Sequence, residues 1–186
     1  LKLNKFKSPI ILLSSINILK SQMNKFRFKK DIRLIDIDNL KELKLNNKKI
    51  NLINIHYIAN NNIKDNTHKN DIYIKNCFDS AFKILKTNFS NKLINGPINK
   101  SKFLNKKFLG MTEYISKKFK IDKNAMLIYN KNLSVCPITT HLPLKLVSKK
   151  ISRKLIEEKT NLINNFYKKN LGFKPKIAVT GLNPHC

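Results

Sequence analysis

Apolar runs of strand length alternate with stretches of helical period along this chain, and that alternation restricts it to an α/β sheet with helices packed on it. After Ser8-Pro9, the run Ile10-Ile11-Leu12-Leu13 reads as a buried strand, and Ile16, Leu19 and Met23 then recur at helical spacing. Short β-rich runs follow at Ile32–Ile37 and Ile50–Ile58. The polar, Asn-rich stretch between Asn60 and Asn70 has no apolar period and predicts a loop. Ile74, Cys77/Phe78, Ala81 and Ile84/Leu85 then recur at three- and four-residue spacing, the stripe of an amphipathic helix. Lys92–Asn95 reads as a strand broken at Gly96-Pro97, and a short helix is expected around Thr112–Phe119. Ala125–Tyr129 and Leu133–Thr139 are two further apolar strands. Ser152 should cap a long helix to about Asn170, with Leu155, Leu162, Ile163 and Phe166 on its apolar face and Gly172 as its stop. Lys176–Thr180 is one more strand, and no internal repeat shows.

Composition narrows the class further. With 186 residues and 41% apolar content there is enough for one ordinary domain or two small ones. No apolar run approaches the roughly 18 residues of a membrane span, so no membrane association is expected. The three cysteines, Cys77, Cys136 and Cys186, form no CxxC pair, which excludes a disulfide framework or zinc ribbon and fits a reducing cytoplasm. Leu1 stands where a Met would begin a chain, no secretory leader is visible, and Cys186 follows directly on the Gly-Leu-Asn-Pro-His turn, so the sequence is expected to be a piece cut at both ends.

The net charge is +27, from 38 Lys+Arg against 11 Asp+Glu. Dense cations bind phosphate polymers through counterion release, which makes a basic nucleic-acid-binding domain the distant alternative. Only Arg27, Arg33 and Arg153 are arginines, however, while 27 Asn and 25 Ile accompany only four Ala. Lys, Asn and Ile are the residues of A/T-rich codons, and the lysines are spread along the whole chain. Base readers rely on arginine forks and exposed aromatics. The charge is therefore read as compositional drift, with no nucleic-acid partner.

Ligands of α/β sheets sit beyond the carboxyl ends of strands. Three expected strand ends carry unusual sequences: Asn95-Gly96-Pro97-Ile98-Asn99-Lys100, Thr139-Thr140-His141-Leu142-Pro143-Leu144, and Thr180-Gly181-Leu182-Asn183-Pro184-His185. Two of them deliver a histidine. A lone histidine is more often a hydrogen-bonded structural residue than a ligand, but two on equivalent strand ends suit a transition metal as well as a structural role. His56 and His68 have no such context and read as structural.

Those turns, together with Gly110-Met111-Thr112-Glu113-Tyr114, occur in the order and spacing of one family. From about Ser8 to Cys186 the chain resembles the 4-hydroxythreonine-4-phosphate dehydrogenases of vitamin B6 biosynthesis. The resemblance implies an isocitrate/isopropylmalate dehydrogenase-like fold, two α/β domains with a cleft between them, incomplete here. On that basis residues 1–108 form the first α/β domain, lacking its amino-terminal strand and loop, and residues 109–186 begin the second. That fold does without a GxGxxG fingerprint, in agreement with only four glycines.

The resemblance also implies a set of roles. His141 and His185 bind a divalent metal (Zn, Mg, Mn or Co), with a third histidine in a His-Asp-Gln-Gly stretch beyond the chain end, contributed across a homodimer interface. The family's Gly-His-Thr-Glu motif supplies two substrate contacts, which fall on Met111 and Thr112; Thr112 matches and Met111 departs. Lys100, just after a Gly-Pro turn, is a weak candidate for the substrate phosphate, since it is one of 35 lysines. The implied reaction is oxidation of the small phosphorylated substrate 4-phosphohydroxy-L-threonine by NAD (or NADP) to a β-keto acid. Loss of carbon dioxide then gives 3-amino-2-oxopropyl phosphate. A metal held by imidazoles would acidify the alcohol and stabilise the enolate, while the dinucleotide carries the hydride. A relative oxidising another phosphorylated hydroxy acid or a dihydrodiol, and an inactive remnant, are the nearer alternatives. The segment by itself is expected to be inactive.

Overall fold

The computed structural model describes residues 6–57, 63–104 and 107–183 and divides into two compact units, Leu1–Phe103 and Leu104–Cys186. The first unit is built on a parallel sheet of three strands, β1 (Ile11–Ser14), β2 (Ile32–Leu34) and β3 (Ile50–Asn54), in the order β1-β3-β2. Ile11 stands opposite Asn51 across one ladder, and Ile32 opposite Ile50 across the other. Helix α1 (Ile16–Lys25) leads from β1 to β2, so this connection passes the middle strand. A 3-10 turn at Leu40–Glu42 precedes β3.

β3 is the most buried element. Ile50, Asn51, Leu52 and Ile53 are all buried, with Leu52 at 0% exposure. A strand covered on both faces reads as a continuous apolar run, and here one polar residue interrupts it. Asn51 survives burial because its amide donates to the carbonyls of Ile10 (3.1 Å) and Asn46 (2.8 Å). Leu40, Ile53, Ile55 and Ile84 form the core cluster, with Ile11, Leu13, Ile35, Ile37, Leu45, Tyr73 and Cys77 packed against it.

Ile84, Tyr73 and Cys77 come from α2 (Ile63–Lys86), the 24-residue helix that packs on β1. Its far end buries Phe78 and Phe82, and the Phe78 ring stacks on Phe103 of α3 (Lys100–Phe103) with centroids 5.2 Å apart. The apolar stripe from Ile74 to Leu85 thus lies on this helix as expected. The helix also begins well inside the stretch expected to be a loop: residues 63–70 are helical, and 58–62 lie outside the described residues. Once a helix is nucleated, extending it through polar residues of ordinary propensity costs little.

The second unit holds α4 (Met111–Phe119), α5 (Leu144–Lys150) and α6 (Arg153–Phe166). Ser152 caps α6 as expected, its hydroxyl accepting from the Leu155 N–H. The last turn widens into a π-helical segment, Tyr167–Leu171, that ends at left-handed Gly172 (φ 78°). Buried Tyr167 anchors that segment, its hydroxyl donating to Ser134 Oγ (2.8 Å) and its ring meeting Phe173 edge-on.

Four strand expectations fail among the described residues. Ala125–Tyr129 and Leu133–Thr139 reduce to one antiparallel bridge, Ile128 with Val135, and neither 92–95 nor 176–180 is a strand. Ile94 is 88% exposed and Val179 57%. β-branched residues favour strands only where a neighbouring strand supplies ladder bonds and a face to pack on, and among the described residues no such neighbour flanks these segments.

The start of α1 gives a test. The Ser15 N–H donates to the Tyr73 hydroxyl (2.9 Å), which also contacts the Ser14 hydroxyl at 3.2 Å. Burial raises the Tyr73 phenol above its usual value, and burial likewise raises the Cys77 thiol. Both groups hold their protons more tightly folded than unfolded, so their contribution is complete below the unfolded values and lost as pH rises through the folded ones. Tyr73→Phe should cost about 1–2 kcal/mol in denaturant unfolding at neutral pH. It should also flatten the loss of melting temperature between pH 9 and 11. Parallel curves for variant and wild type above pH 10 would contradict this.

Candidate functional site

The sequence-predicted residues fall in both units. Lys100 is exposed at the amino end of α3 in the first unit. Also in that unit, a shallow depression lies beyond the carboxyl ends of β2 and β3, with Asp36, Asn54 and Ser80 as its polar lining. Met111, Thr112 and His141 belong to the second unit. His185 lies outside the described residues, as do its neighbours Pro184 and Cys186, while Gly181, Leu182 and Asn183 are exposed. The pairing of His141 with His185 is therefore not part of the described structure. His56 is exposed on the turn after β3.

α4 organises the second-unit site. Gly110 is its N-cap, in extended backbone (φ −159°, ψ 177°), and its carbonyl accepts the Tyr114 N–H at 3.2 Å. Tyr114 is buried and meets the Phe108 ring edge-on at 5.3 Å, which pins the helix. Met111 and Thr112, half-buried, occupy the first turn. The first-turn N–H groups have no intrahelical acceptor, so this end carries partial positive charge and suits an anion.

Glu113, also in the first turn, would serve that dipole alone if it pointed to solvent. Instead its side chain turns toward the Thr-Thr-His turn. Oε1 accepts from the Thr140 hydroxyl at 3.3 Å, and Oε2 is buried with no hydrogen-bond partner. Buried carboxylate oxygens are costly when unpaired, and this one demands a positive or donating neighbour. The next residue, His141, has φ 56°, a left-handed backbone uncommon outside glycine. Its ring lies over Gly110. A Cβ added at Gly110 would stand 2.8 Å from Glu113 Oε2, 3.0 Å from His141 Nε2 and 3.5 Å from His141 Cδ2. Glycine is what lets the carboxylate and the imidazole close on the same place.

An imidazole with a carboxylate beside it is a setting that zinc, manganese and cobalt accept, the imidazole ligating and the carboxylate either ligating or orienting the ring. The residues present thus fit a divalent cation, with His141 as the nitrogen donor. Among the described residues no three of His, Cys, Asp and Glu converge, so further ligands would have to come from elsewhere. Reading residue types missed Glu113 and Gly110, because an acid in the first turn and a glycine before it are ordinary helix-start residues.

The left-handed backbone at His141 has a measurable consequence. His141→Ala keeps a Cβ at positive φ, whereas His141→Gly removes it. The glycine variant should be the more stable of the two by about 1 kcal/mol in chemical denaturation. Equal stabilities would mean that the turn relaxes out of this conformation.

Comparison with known proteins gives a consistent result. A family model described as "Pyridoxal phosphate biosynthetic protein PdxA" matches residues 5–186. The 4-hydroxythreonine-4-phosphate dehydrogenase of Sulfurihydrogenibium sp. (strain YO3AOP1) is 32% identical over 194 residues, covering 95% of this chain and 59% of the relative. That of Aquifex aeolicus (strain VF5) is 37% identical over 92 residues, 48% of this chain and 29% of the relative. The crystal structure of the Klebsiella pneumoniae protein of the same name superposes on 96% of this chain and 56% of its own, with TM-score 0.75 at 21% identity. The Burkholderia phymatum one gives 0.70 over 94% and 53%, also at 21% identity. These structural likenesses bear out the expected α/β dehydrogenase fold. The chain spans about three-fifths of the length of the Sulfurihydrogenibium relative.

Proposed function

Because the chain belongs to the PdxA family of pyridoxal phosphate biosynthetic proteins, we propose that it is part of an NAD-dependent, divalent-metal-dependent 4-hydroxythreonine-4-phosphate dehydrogenase. Its substrate is 4-phosphohydroxy-L-threonine. The carbon of the secondary alcohol gives up hydride to the nicotinamide of NAD or NADP, and the hydroxyl gives up its proton. The β-keto acid so formed loses its carboxylate as carbon dioxide. The electron pair left behind takes up a proton, giving 3-amino-2-oxopropyl phosphate. The working protein is a cytoplasmic homodimer in this reading. No described helix is long and apolar enough to cross a membrane.

One observation carries the proposal: His141, on a left-handed backbone, stands beside a buried carboxylate oxygen that has no donor. His141 and His185 are assigned to hold the cation. When bound, the cation polarises the alcohol oxygen and stabilises charge as the bonds to carbon break. Thr112 is assigned to hydrogen-bond the substrate at the amino end of α4, where the helix dipole favours its anionic groups. Lys100 is assigned, as the weakest member, to the phosphate.

Met111 favours a second reading. A family histidine at this position can donate a hydrogen bond to the substrate, whereas a thioether is at best a weak acceptor. A relative that oxidises a different phosphorylated hydroxy acid or a dihydrodiol would tolerate methionine there.

In the full-length chain, His141→Ala and His185→Ala should each lower kcat/KM more than hundredfold, with circular dichroism unchanged. Wild-type turnover in either variant would refute the ligand assignment. Met111→His should raise kcat/KM for 4-phosphohydroxy-L-threonine about ten- to hundredfold, mostly through KM. If instead that value falls while another hydroxy acid remains a good substrate, the second reading holds.

A further inference from the structure

We infer that Glu113 is a positioning residue for His141: its Oε2 accepts the imidazole Nε2–H in the space that Gly110 leaves, fixing the ring and reserving Nδ1 for a cation. The cation end of this inference rests on the metal reading above. The carboxylate–imidazole contact does not.

Four observations converge. Glu113 Oε2 is buried and lacks a partner, while Oε1 is held by the hydroxyl of Thr140, the residue immediately before His141. The carboxylate is thus tied to the same turn that carries the imidazole. Second, Oε2 and the Nε2–Cδ2 edge of His141 approach one point above Gly110, at 2.8, 3.0 and 3.5 Å. It is the Nε2 edge of the ring, not the Nδ1 edge, that lies nearest that point. Third, the ordinary partner of Glu113 is otherwise occupied. Lys117, one turn along α4, places its ammonium 5.6 Å from the centre of the Phe108 ring, and Lys118 stands 5.7 Å from that of Tyr114. Fourth, His141 is exposed, so its ring is not locked in place by packing around it.

Ligating histidines commonly donate the second ring N–H to a carboxylate, which fixes tautomer and orientation and makes the ligating nitrogen more basic. Glu113 is placed for that task, and Gly110 is the residue whose missing Cβ permits it.

The test uses the full-length chain, labelled with 15N-histidine and free of metal, at a pH where the imidazole is neutral. An imidazole N–H open to water exchanges too fast to be seen, whereas one held by a buried carboxylate gives a slowly exchanging low-field signal. Wild type should show that signal for His141 Nε2–H. Glu113→Leu, which removes the acceptor at similar volume, should lose it, and Glu113→Gln, which keeps an acceptor oxygen, should retain it. Absence of the signal in wild type, or its persistence in Glu113→Leu, overturns the inference. Titration with cobalt(II) then reads the consequence. Glu113→Leu and Gly110→Ala should each weaken binding about 10- to 100-fold relative to wild type. Cobalt binding lost in Glu113→Leu with the N–H signal unchanged would make Glu113 a direct ligand, which also overturns it. Cobalt affinity unchanged in His141→Ala would defeat the metal reading alone, since the N–H signal is measured without metal.

Discussion

A strand that is buried on both faces must settle every polar group it carries, and β3 imposes that requirement on the first unit. Its answer is asparagine. Asn51, inside the sheet, reaches the carbonyls of Ile10 and Asn46. Asn47 accepts the Ile10 N–H at 2.9 Å while its amide donates to the carbonyls of Phe6 and Ser8. Asn54, at the end of β3, accepts the Ile16 N–H at 2.9 Å. The chain leading into β1, β1 itself and the entry to α1 are thus held by side-chain amides from the segment around β3. A composition bias that looks like noise in the sequence is put to structural use here, because an amide can bond a backbone N–H and a carbonyl at once.

Few lysines are used in this way: Lys30 donates to the Asn47 carbonyl and Lys159 to that of Asn124. The ion pairs described, Lys49 with Asp31, Lys75 with Asp79 and Arg153 with Glu157, all leave at least one partner more than half exposed. Such pairs are worth at most about 1 kcal/mol each. The fold rests on its apolar core and amide bonding, and the excess of positive charge is carried on the outside. At the second-unit site the important charge is negative and turned inward: one carboxylate, half-satisfied, beside one imidazole.

What was legible in the sequence depended on whether the deciding contacts were local. The runs at Ile10, Ile32 and Ile50 become β1, β2 and β3, and Ser152 caps α6, because periodicity and capping are local signals. The segments 92–95 and 176–180 have strand composition but no neighbouring strand among the described residues, a fact that no window of sequence contains. The site divides the same way. His141 stood out by its motif and its residue type. Glu113 did not, since its role depends on turning toward Thr140, 27 positions away, and not along its own helix.

The entry to α1 carries a cost that the finished fold conceals. Ser15 occupies the N-cap position yet makes no side-chain cap. The N–H groups there are taken by Tyr73, 58 positions on, and by Asn54, 38 positions on. Each of those bonds closes a long loop, and loop closure must precede the reward. Helix α1 consequently has no local start signal of its own. Its first turn is secured only when β3 has joined β1 and α2 has docked, which couples the beginning of the unit to its end in time as well as in space.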